Sequence, residues 1–386
     1  MRKSAVFIAT LIVVFTVMAA GLIGCGAKKG KVVKIAVILP LTGEYKAFGI
    51  EMLNAAKLAV DEWNQQNKIP GYRIEVLERD DAGNKTLALN QAKYVVGDSR
   101  VYGVLAHLNS GCLIAALKTY NAANIVAIGP SESNPDITRK GYRNIFRLVT
   151  HDLHQGSITA EYLHSLGIKR LAIIHNSNDY GKPLADVIKE HAEGFGIDIV
   201  AFIPTRVEDV DYSAVLTEIK SKNPDAIYFS GEASQAGDVV KQARNMGITQ
   251  KFFSPDGTFG KQYINVAGLK AVEGNVVSMF GPPIDTLKGE AGHLFKKYQE
   301  KYNAEITNFG PYAYDVTQIL LTAIKNTVDK QGTPTRKAVI EEVRNIKYKG
   351  VIGTTEFDRF GDTKNRIITF YEIKNGRYLP QKVWRP

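Results

Sequence analysis

A turn of small polar residues after an apolar segment is the first candidate for chemistry in this 386-residue sequence. Residues 101–113 read Val-Tyr-Gly-Val-Leu-Ala-His-Leu-Asn-Ser-Gly-Cys-Leu, so a run of strand length ends at Ser110 and Gly111. From Leu113 to Tyr120 apolar residues recur at helical spacing, which predicts a strand, a tight loop and a helix. Free N–H groups at a helix start, together with a hydroxyl, suit a carboxylate or phosphate. We therefore predict that Ser110 and Gly111 bind the anionic end of a small ligand.

A second hydroxyl-rich turn follows the next predicted strand, in the sequence Gly-Pro-Ser-Glu-Ser at residues 129–133. Because neighbouring parallel strands end at the same sheet edge, this turn and the one at Ser110 are expected to converge. Ser131 and Ser133 could bind the same anion or cap a helix, and the sequence leaves both interpretations open.

Three polar residues in the second half of the chain also follow predicted strands, namely Tyr180, Glu232 and Asp256. The same rule places them at the ligand edge of a second sheet. Asp256 stands in Pro-Asp-Gly, a favoured turn sequence, so a simple turn is the alternative. A carboxylate that faces Ser110 would complete a site for a zwitterion, since it would bind an ammonium group.

Motifs of nucleophilic, phosphate-binding or zinc-dependent enzymes are absent from the sequence. His107 precedes Ser110 by three residues, but the turn separates their side chains, so a structural histidine is favoured over a general base. His151, Asp152 and His154 could share a zinc ion, yet no fourth ligand stands nearby, which favours a polar loop. We predict no enzymatic activity, no metal site and no cofactor.

Strands and helices alternate along the chain after residue 31. The helix predicted from about Gly49 to Gln66 has apolar residues at the i, i+3, i+4, i+7 spacing of one buried face. A second series of strands and helices begins near Asp152, and Gly-Pro-Pro at residues 281–283 is typical of a segment that crosses between lobes. The alternation predicts two α/β lobes, each with a doubly wound parallel sheet.

The start of the chain predicts export. Arg2 and Lys3 precede an uncharged apolar run that ends at Gly24, and Cys25 follows. This run could also span a bilayer as a permanent anchor. Because Leu-Ile-Gly-Cys resembles a bacterial lipoprotein processing site, we expect residues 1–24 to be a signal peptide. Acyl chains on Cys25 would then tether the protein to a membrane.

Cys112 is the only other cysteine, so no internal disulfide is expected if Cys25 is lipidated. Cys112 itself is predicted to be a small buried residue rather than a reactive thiol. The formal net charge of +10 is interpreted as a solvated, lysine-rich surface of an exported protein. No basic run is interleaved with aromatic residues, so nucleic acid is not an expected partner.

Several short motifs occur in a characteristic order and spacing. They are Leu41-Thr42-Gly43, Asp80-Asp81, His107-Leu108-Asn109-Ser110, Gly129 to Pro135, Gly141-Tyr142, Phe146-Arg147, Asp152 with Gln155-Gly156, Tyr180-Gly181, Gln242-Ala243-Arg244, Tyr312-Ala313-Tyr314-Asp315, and Phe357-Asp358 with Gly361-Asp362. In this order the chain resembles the type I periplasmic binding proteins, and specifically the Leu/Ile/Val-binding proteins of branched-chain amino-acid ABC transporters. The resemblance covers nearly all of residues 32–370.

This resemblance implies two lobes, joined by a three-segment hinge, that close over an amino acid. Lobe 1 would comprise residues 32–151 and 281–366, and lobe 2 residues 152–280 and 367–386, with residues 25–31 as a linker. By position, the resemblance assigns ligand binding to Ser110, Gly111, Ser131, Ser133, Asp256, Tyr180, Phe48 and Glu232.

The implied roles of these residues divide between the two ends of an amino acid. Ser110 and Ser133 would donate to its carboxylate, and the Ser131 carbonyl and Asp256 would receive its ammonium. Tyr180 would reach in from the second lobe. Asp256 is one methylene shorter than the glutamate of well-known members, which would require tighter closure.

The side-chain end of the implied pocket departs from the family. Phe48 stands where relatives often carry Tyr or Trp, and Glu232 stands where branched-chain binders place a tyrosine. If Glu232 pointed inward, the ligand would be polar or cationic, because a buried unpaired carboxylate is costly. We expect it to point outward at the rim, since exposed glutamate is the commoner state.

The sequence therefore predicts a monomeric, lipid-anchored receptor on the periplasmic or cell-surface face of a membrane. It would capture an extracellular amino acid, of the branched-chain type first, by hinge closure and deliver it to an ABC permease. The alternatives are a small amide, urea or aromatic acid as ligand, or a sensory subunit that feeds a signalling partner.

Overall fold

The computed structural model describes residues 30–385, except residues 284, 285, 288 and 308. The expected signal peptide, Cys25 and most of the expected linker lie outside these residues. Within the described part of the chain, no helix combines the length and the apolar character needed to cross a membrane.

Fourteen strands are described, and most of them belong to two sheets. They are β1 (Lys31–Leu39), β2 (Tyr72–Asp80), β3 (Val101–Ala106), β4 (Val126–Gly129), β5 (Ile145–Arg147), β6 (Arg170–Asn176), β7 (Asp198–Thr205), β8 (Ala226–Ser230), β9 (Lys251–Ser254), β10 (Val276–Phe280), β11 (Tyr348–Gly350), β12 (Gly353–Thr355), β13 (Ile368–Lys374) and β14 (Arg377–Trp384).

The described helices cover these sheets. They are α1 (Lys46–Gln65), α2 (Lys85–Val96), α3 (Ser110–Ala122), α4 (Asp136–Arg139), α5 (Asp152–Ser165), α6 (Gly181–Gly194), α7 (Ser213–Lys222), α8 (Ala233–Asn245), α9 (Lys261–Ala267), α10 (Leu269–Val272), α11 (Glu290–Tyr302), α12 (Gly310–Gln331) and α13 (Arg336–Arg344).

The first sheet is parallel throughout and has the strand order β2-β1-β3-β4-β5. Its inner strands are almost continuously buried, since helices cover both faces. The helix α12 packs against α1 and β3, so a C-terminal segment completes a layer that the N-terminal part of the chain begins.

The second sheet has the order β14-β13-β10-β9-β8-β6-β7 and is mixed. Strands β6 to β10 pair in parallel, whereas β13 runs antiparallel to β10, and β14 antiparallel to β13. The sequence did not predict β14, because this edge strand is mostly exposed and contains Pro380, so it lacks the apolar run of a buried strand. The two predicted α/β lobes therefore differ in that one sheet ends in an antiparallel pair.

Each of the two large sheets forms one layer together with the helices that cover it, and the chain passes between the two layers three times. The crossings lie between β5 and α5, between β10 and α11, and between β12 and β13. The resemblance implies that the two layers move as lobes, and these three crossings would then form the hinge between them. The residue numbers at which the lobes were expected to begin and end stay predictions.

A buried arginine links the first crossing to the third. Arg147 is fully buried, and its Nε lies 2.5 Å from Asp362 Oδ1. Its Nη1 donates to the Asn134 carbonyl at 2.7 Å, and its Nη2 donates to Thr138 Oγ1 at 2.6 Å. Thr138 in turn donates to Asp362 at 2.8 Å. A buried guanidinium needs such partners. This network therefore connects the end of β5 to the segment between β12 and β13, which contains Asp362.

We expect Asp362→Ala to lower the free energy of unfolding by about 3–5 kcal/mol, because it leaves the buried Arg147 charge without its counter-ion. Urea denaturation would measure this loss. The matched control is Asp329→Ala, which removes an exposed i,i+4 pair with Lys325 and should cost about 1 kcal/mol or less. Equal losses for the two variants would contradict the structural role of the Arg147 network.

Candidate functional site

One pocket lies where the loops at the carboxyl ends of strands from both sheets meet. It is lined by Tyr45, Phe48, Leu108, Asn109, Ser110, Ser131, Tyr180, Glu232, Asp256, Gly257 and Phe309. Its empty space is about 450 Å³, including the part open to solvent.

The structure brings together most of the residues that the sequence singled out. Those that line the pocket are Ser110, Ser131, Tyr180, Glu232, Asp256 and Phe48. Gly111 and Ser133 are buried beside them in the chain but do not belong to the described lining. A direct contact of either residue with a ligand stays a prediction.

The first wall of the pocket offers hydrogen-bond donors. Ser110 opens α3, and the first N–H groups of a helix have no intrahelical acceptor. The Ser131 hydroxyl donates to the Leu108 carbonyl at 3.0 Å, which joins the two serine-containing turns. Neither serine of the second turn caps a helix, because α4 begins after Pro135. This wall can therefore bind an anion through neutral donors.

A buried glutamate that lies outside the described pocket lining connects the same two turns. Glu132 is 1 % exposed, and its Oε2 accepts from the Ser131 N–H at 3.1 Å while its Oε1 accepts from the His107 N–H. The His107 ring contacts Asp81 through Nδ1 at 2.6 Å and the Tyr120 hydroxyl through Nε2 at 3.0 Å. Both ring nitrogens are thus engaged away from Ser110, and His107 acts as a structural residue.

The second wall carries a carboxylate. Asp256 is 3 % exposed and opens a short 3₁₀ turn, so it both forms the turn and faces the pocket. Its Oδ1 accepts from the Tyr180 hydroxyl at 2.8 Å and from Gln155 Nε2 at 2.9 Å. The Tyr180 oxygen also accepts from the Gly257 N–H at 3.1 Å. Burial raises the pKa of Asp256 to about 6, although these donors favour its ionised form.

A second acidic residue lies in the interior near Asp256. Asp152 is fully buried, and burial raises its pKa to about 7, with a further contribution from the Asp256 charge.

His154, which the sequence analysis considered as a zinc ligand together with His151 and Asp152, lies in the first turn of α5 and places its Nε2 3.1 Å from the Arg366 carbonyl. Across the described residues, no cluster of three or more His, Cys, Asp and Glu side chains could hold a metal.

Glu232 differs from the sequence expectation, which put it at the rim. It is 8 % exposed and lines the pocket. Its Oε2 accepts from Asn176 Nδ2 at 2.6 Å, and its Oε1 accepts from Asn178 Nδ2 at 2.9 Å. These two amides replace part of the lost hydration, which is why the carboxylate can lie inside. Burial still raises the pKa of Glu232 to about 7.

Aromatic rings form the remaining side of the pocket. Phe48 and Phe309 have ring centroids 6.3 Å apart. Phe48 can reach the pocket because α1 approaches the end of β1 closely: a Cβ on Gly49 would collide with the Pro40 carbonyl. Tyr45, which lines the same side, lies one helical turn before Phe48, and this spacing could have revealed it.

The loops of the two layers also contact each other around the pocket. Lys85 and Asp179 form an ion pair, and Gln235 Nε2 donates to Glu44 at 2.7 Å. A Cβ on Gly111 would lie 2.6 Å from Asp179 Oδ2, so the absence of a side chain there permits the close approach. Contacts between the layers therefore flank the pocket.

We expect Glu132 to make the stability of the protein depend on pH. Its folded-state pKa of about 7 exceeds that of an unfolded glutamate, about 4.3, so the folded state binds more protons between these values. The contribution of Glu132 to the free energy of unfolding is therefore lost as the pH rises through 7. Urea denaturation from about pH 5 to 7.5, which lies mainly between the two pKa values, should show a steeper fall for the wild type than for Glu132→Gln.

The exposed control Glu300→Gln should retain the wild-type slope. Parallel pH profiles for the wild type and Glu132→Gln would show that this carboxyl does not titrate in this range. The readout is the slope of the free energy of unfolding against pH and not its absolute value. The glutamine amide of Glu132→Gln also disturbs the contacts with the Ser131 and His107 N–H groups, which changes the absolute value.

Comparison with known proteins supports the resemblance noted in the sequence. Residues 32–377 match a family described as periplasmic binding protein. An amino acid binding protein from Pseudomonas aeruginosa is 28% identical over 351 residues, which cover 90% of this chain and 91% of that protein.

Solved structures show the same architecture. The branched-chain amino acid transporter substrate binding protein LivJ from Streptococcus pneumoniae, in complex with isoleucine, is 28% identical, has a TM-score of 0.84 and matches over 92% of this chain and 100% of its own. The leucine binding protein LivK from Thermotoga maritima is 27% identical with a TM-score of 0.84, over 92% of this chain and 99% of its own. The predicted two-lobed α/β fold class is confirmed.

Proposed function

Because the chain belongs to the periplasmic binding protein family, we propose that it is the substrate-binding component of an ABC transporter and captures an α-amino acid outside the cytoplasm. The observation that carries this proposal is that groups of two kinds line one pocket. Neutral donors around Ser110 and the carboxylate of Asp256 both belong to the lining, which matches the two charges of a zwitterion.

In the proposed complex, the ligand carboxylate binds at the start of α3. The Ser110 hydroxyl and the first N–H groups of this helix would donate to it. The ligand ammonium would bind Asp256, whose position is fixed by Tyr180 and Gln155, and would donate to the Ser131 carbonyl. Each charged end of the ligand thus meets a group of opposite character.

Ligand capture would proceed by closure of the two lobes. A ligand that contacts Ser110 on one side and Asp256 on the other interacts fully only when the layers are close, so it favours that state. The contacts of Lys85 with Asp179 and of Gln235 with Glu44 would form in the same movement. The permease would then recognise the closed form.

The relatives favour an amino acid over the alternatives of a small amide, urea or aromatic acid. One relative is named for amino acid binding, and the LivJ structure contains isoleucine. The relatives, taken alone, would therefore favour a branched-chain ligand. The groups that would bind the two charged ends do not depend on the ligand side chain, which other residues of the pocket select.

We expect Asp256→Ala to weaken amino-acid binding more than tenfold, because it removes the partner of the ligand ammonium. Isothermal titration calorimetry of the full chain in detergent micelles, with a panel of amino acids, would measure the affinity. Asp186→Ala is the control, since Asp186 is a half-exposed carboxylate on α6 and should leave the affinity unchanged. An unchanged affinity in Asp256→Ala would refute the zwitterion site.

We further propose that the protein is exported and anchored by lipid at Cys25. The family implies a periplasmic location, and the leader pattern supports export. The lipid anchor itself rests on the sequence around Cys25, which lies outside the described residues.

Lipidation can be tested by metabolic labelling with a fatty acid in cells that express the full chain. Wild type should carry the label and sediment with membranes, whereas Cys25→Ser should lose the label. Cys112→Ser is the matched control, because Cys112 is the other cysteine and is buried as predicted. Label retained in Cys25→Ser would argue against this anchor.

A further inference from the structure

Above pH 7, where Asp256 and Glu232 are both ionised, the pocket holds a negative charge that a simple zwitterion does not neutralise. Two carboxylates, Asp256 and Glu232, belong to its lining, and the described part of the lining contains no Lys, Arg or His. An amino acid with an aliphatic side chain brings one ammonium group, which Asp256 would bind in the proposed function. Glu232 would then remain buried without a cation, which is energetically unfavourable.

The surroundings of Glu232 leave room for a further partner. Its two hydrogen bonds come from the neutral amides of Asn176 and Asn178. Among the described residues, no basic side chain is a partner of its carboxylate. An ionised carboxylate can accept about four hydrogen bonds, so two acceptor positions remain. The carboxylate is therefore fixed by neutral groups and is still free to accept from a ligand.

Aromatic groups complete the chemistry of a cation site. Phe48 and Phe309 line the pocket together, and Tyr45 lies close enough to Glu232 that this charge, after burial, helps to raise the pKa of the Tyr45 hydroxyl. Aromatic faces attract cations and also cover the methylene stem of a long basic side chain. A pocket that binds an aliphatic side chain would need the aromatic rings but not the Glu232 carboxylate.

From this charge balance we infer that the ligand is a basic α-amino acid, of the lysine, ornithine or arginine type, whose side-chain cation pairs with Glu232. The inference rests on the proposed function, because it takes the other two charges of the ligand to be bound at Ser110 and Asp256. Glu232 is then the residue that selects the ligand side chain. A ligand with two positive groups and one carboxylate matches the two acids and the neutral donor wall.

The test compares amino acids with and without a side-chain cation. Calorimetry of the full chain in detergent micelles at pH 8 would use lysine, arginine, leucine, glutamine and norleucine, which has the lysine stem without the amine. Lysine or arginine should bind at least tenfold more tightly than norleucine. In Glu232→Gln this ratio should fall below threefold, because the amide carries no charge.

A control variant separates a local from a general effect of charge. Glu208→Gln removes an exposed carboxylate that also influences Tyr45, and it should retain the wild-type ratio. Thermal unfolding of Glu232→Gln would establish that the variant folds. The ligand series on the wild type tests the inference independently of any variant.

The possible outcomes distinguish this inference from the proposed function. Tight binding of leucine or norleucine with weaker binding of lysine and arginine would overturn the inference and leave the amino-acid receptor intact. Tightest binding of glutamine would also overturn it, because the side-chain partner of Glu232 would then be a neutral donor. If none of the five amino acids bound, the proposed function would fall and the inference with it.

Discussion

The site depends on the burial of carboxylates beside strand ends without cations to pair with them. Glu132 is bound by two backbone N–H groups, Asp256 by a hydroxyl and an amide, and Glu232 by two amides. Because a buried carboxylate loses most of its hydration, each of these donors must hold a defined position. These donors thereby hold the loops that provide them in defined positions.

This arrangement contrasts with the buried ion pair at the crossings. Arg147 and Asp362 neutralise each other, and their remaining polar atoms contact neighbouring groups, so the pair fixes the chain path. Around the pocket, neutral donors fix the acids without neutralising them, so above their raised pKa values the acids carry an unpaired negative charge. Buried charge thus fixes the chain path at the Arg147–Asp362 pair, whereas in the pocket it attracts cations.

Much of the fold and part of the site could be predicted from local sequence patterns. Ser110 and Asp256 each follow a strand, and parallel strands bring such positions to one edge. The orientation of Glu232 depends on Asn176 and Asn178, which come from another strand end, so no local pattern predicts it. Phe309 reaches the pocket from a C-terminal segment for the same reason, since only the tertiary fold brings it there.

The missing side chain at Gly111 has a mechanical consequence for the cleft. The Asp179 carboxylate and the Lys85 stem come so near this Cα that a methyl group would already clash with them. The bare backbone of Gly111 therefore leaves room for the ion pair between Lys85 of one layer and Asp179 of the other. A side chain at this position would first displace the ends of Asp179 and Lys85, so the charged contact between the two layers would be lost while every ligand-contacting side chain stayed intact.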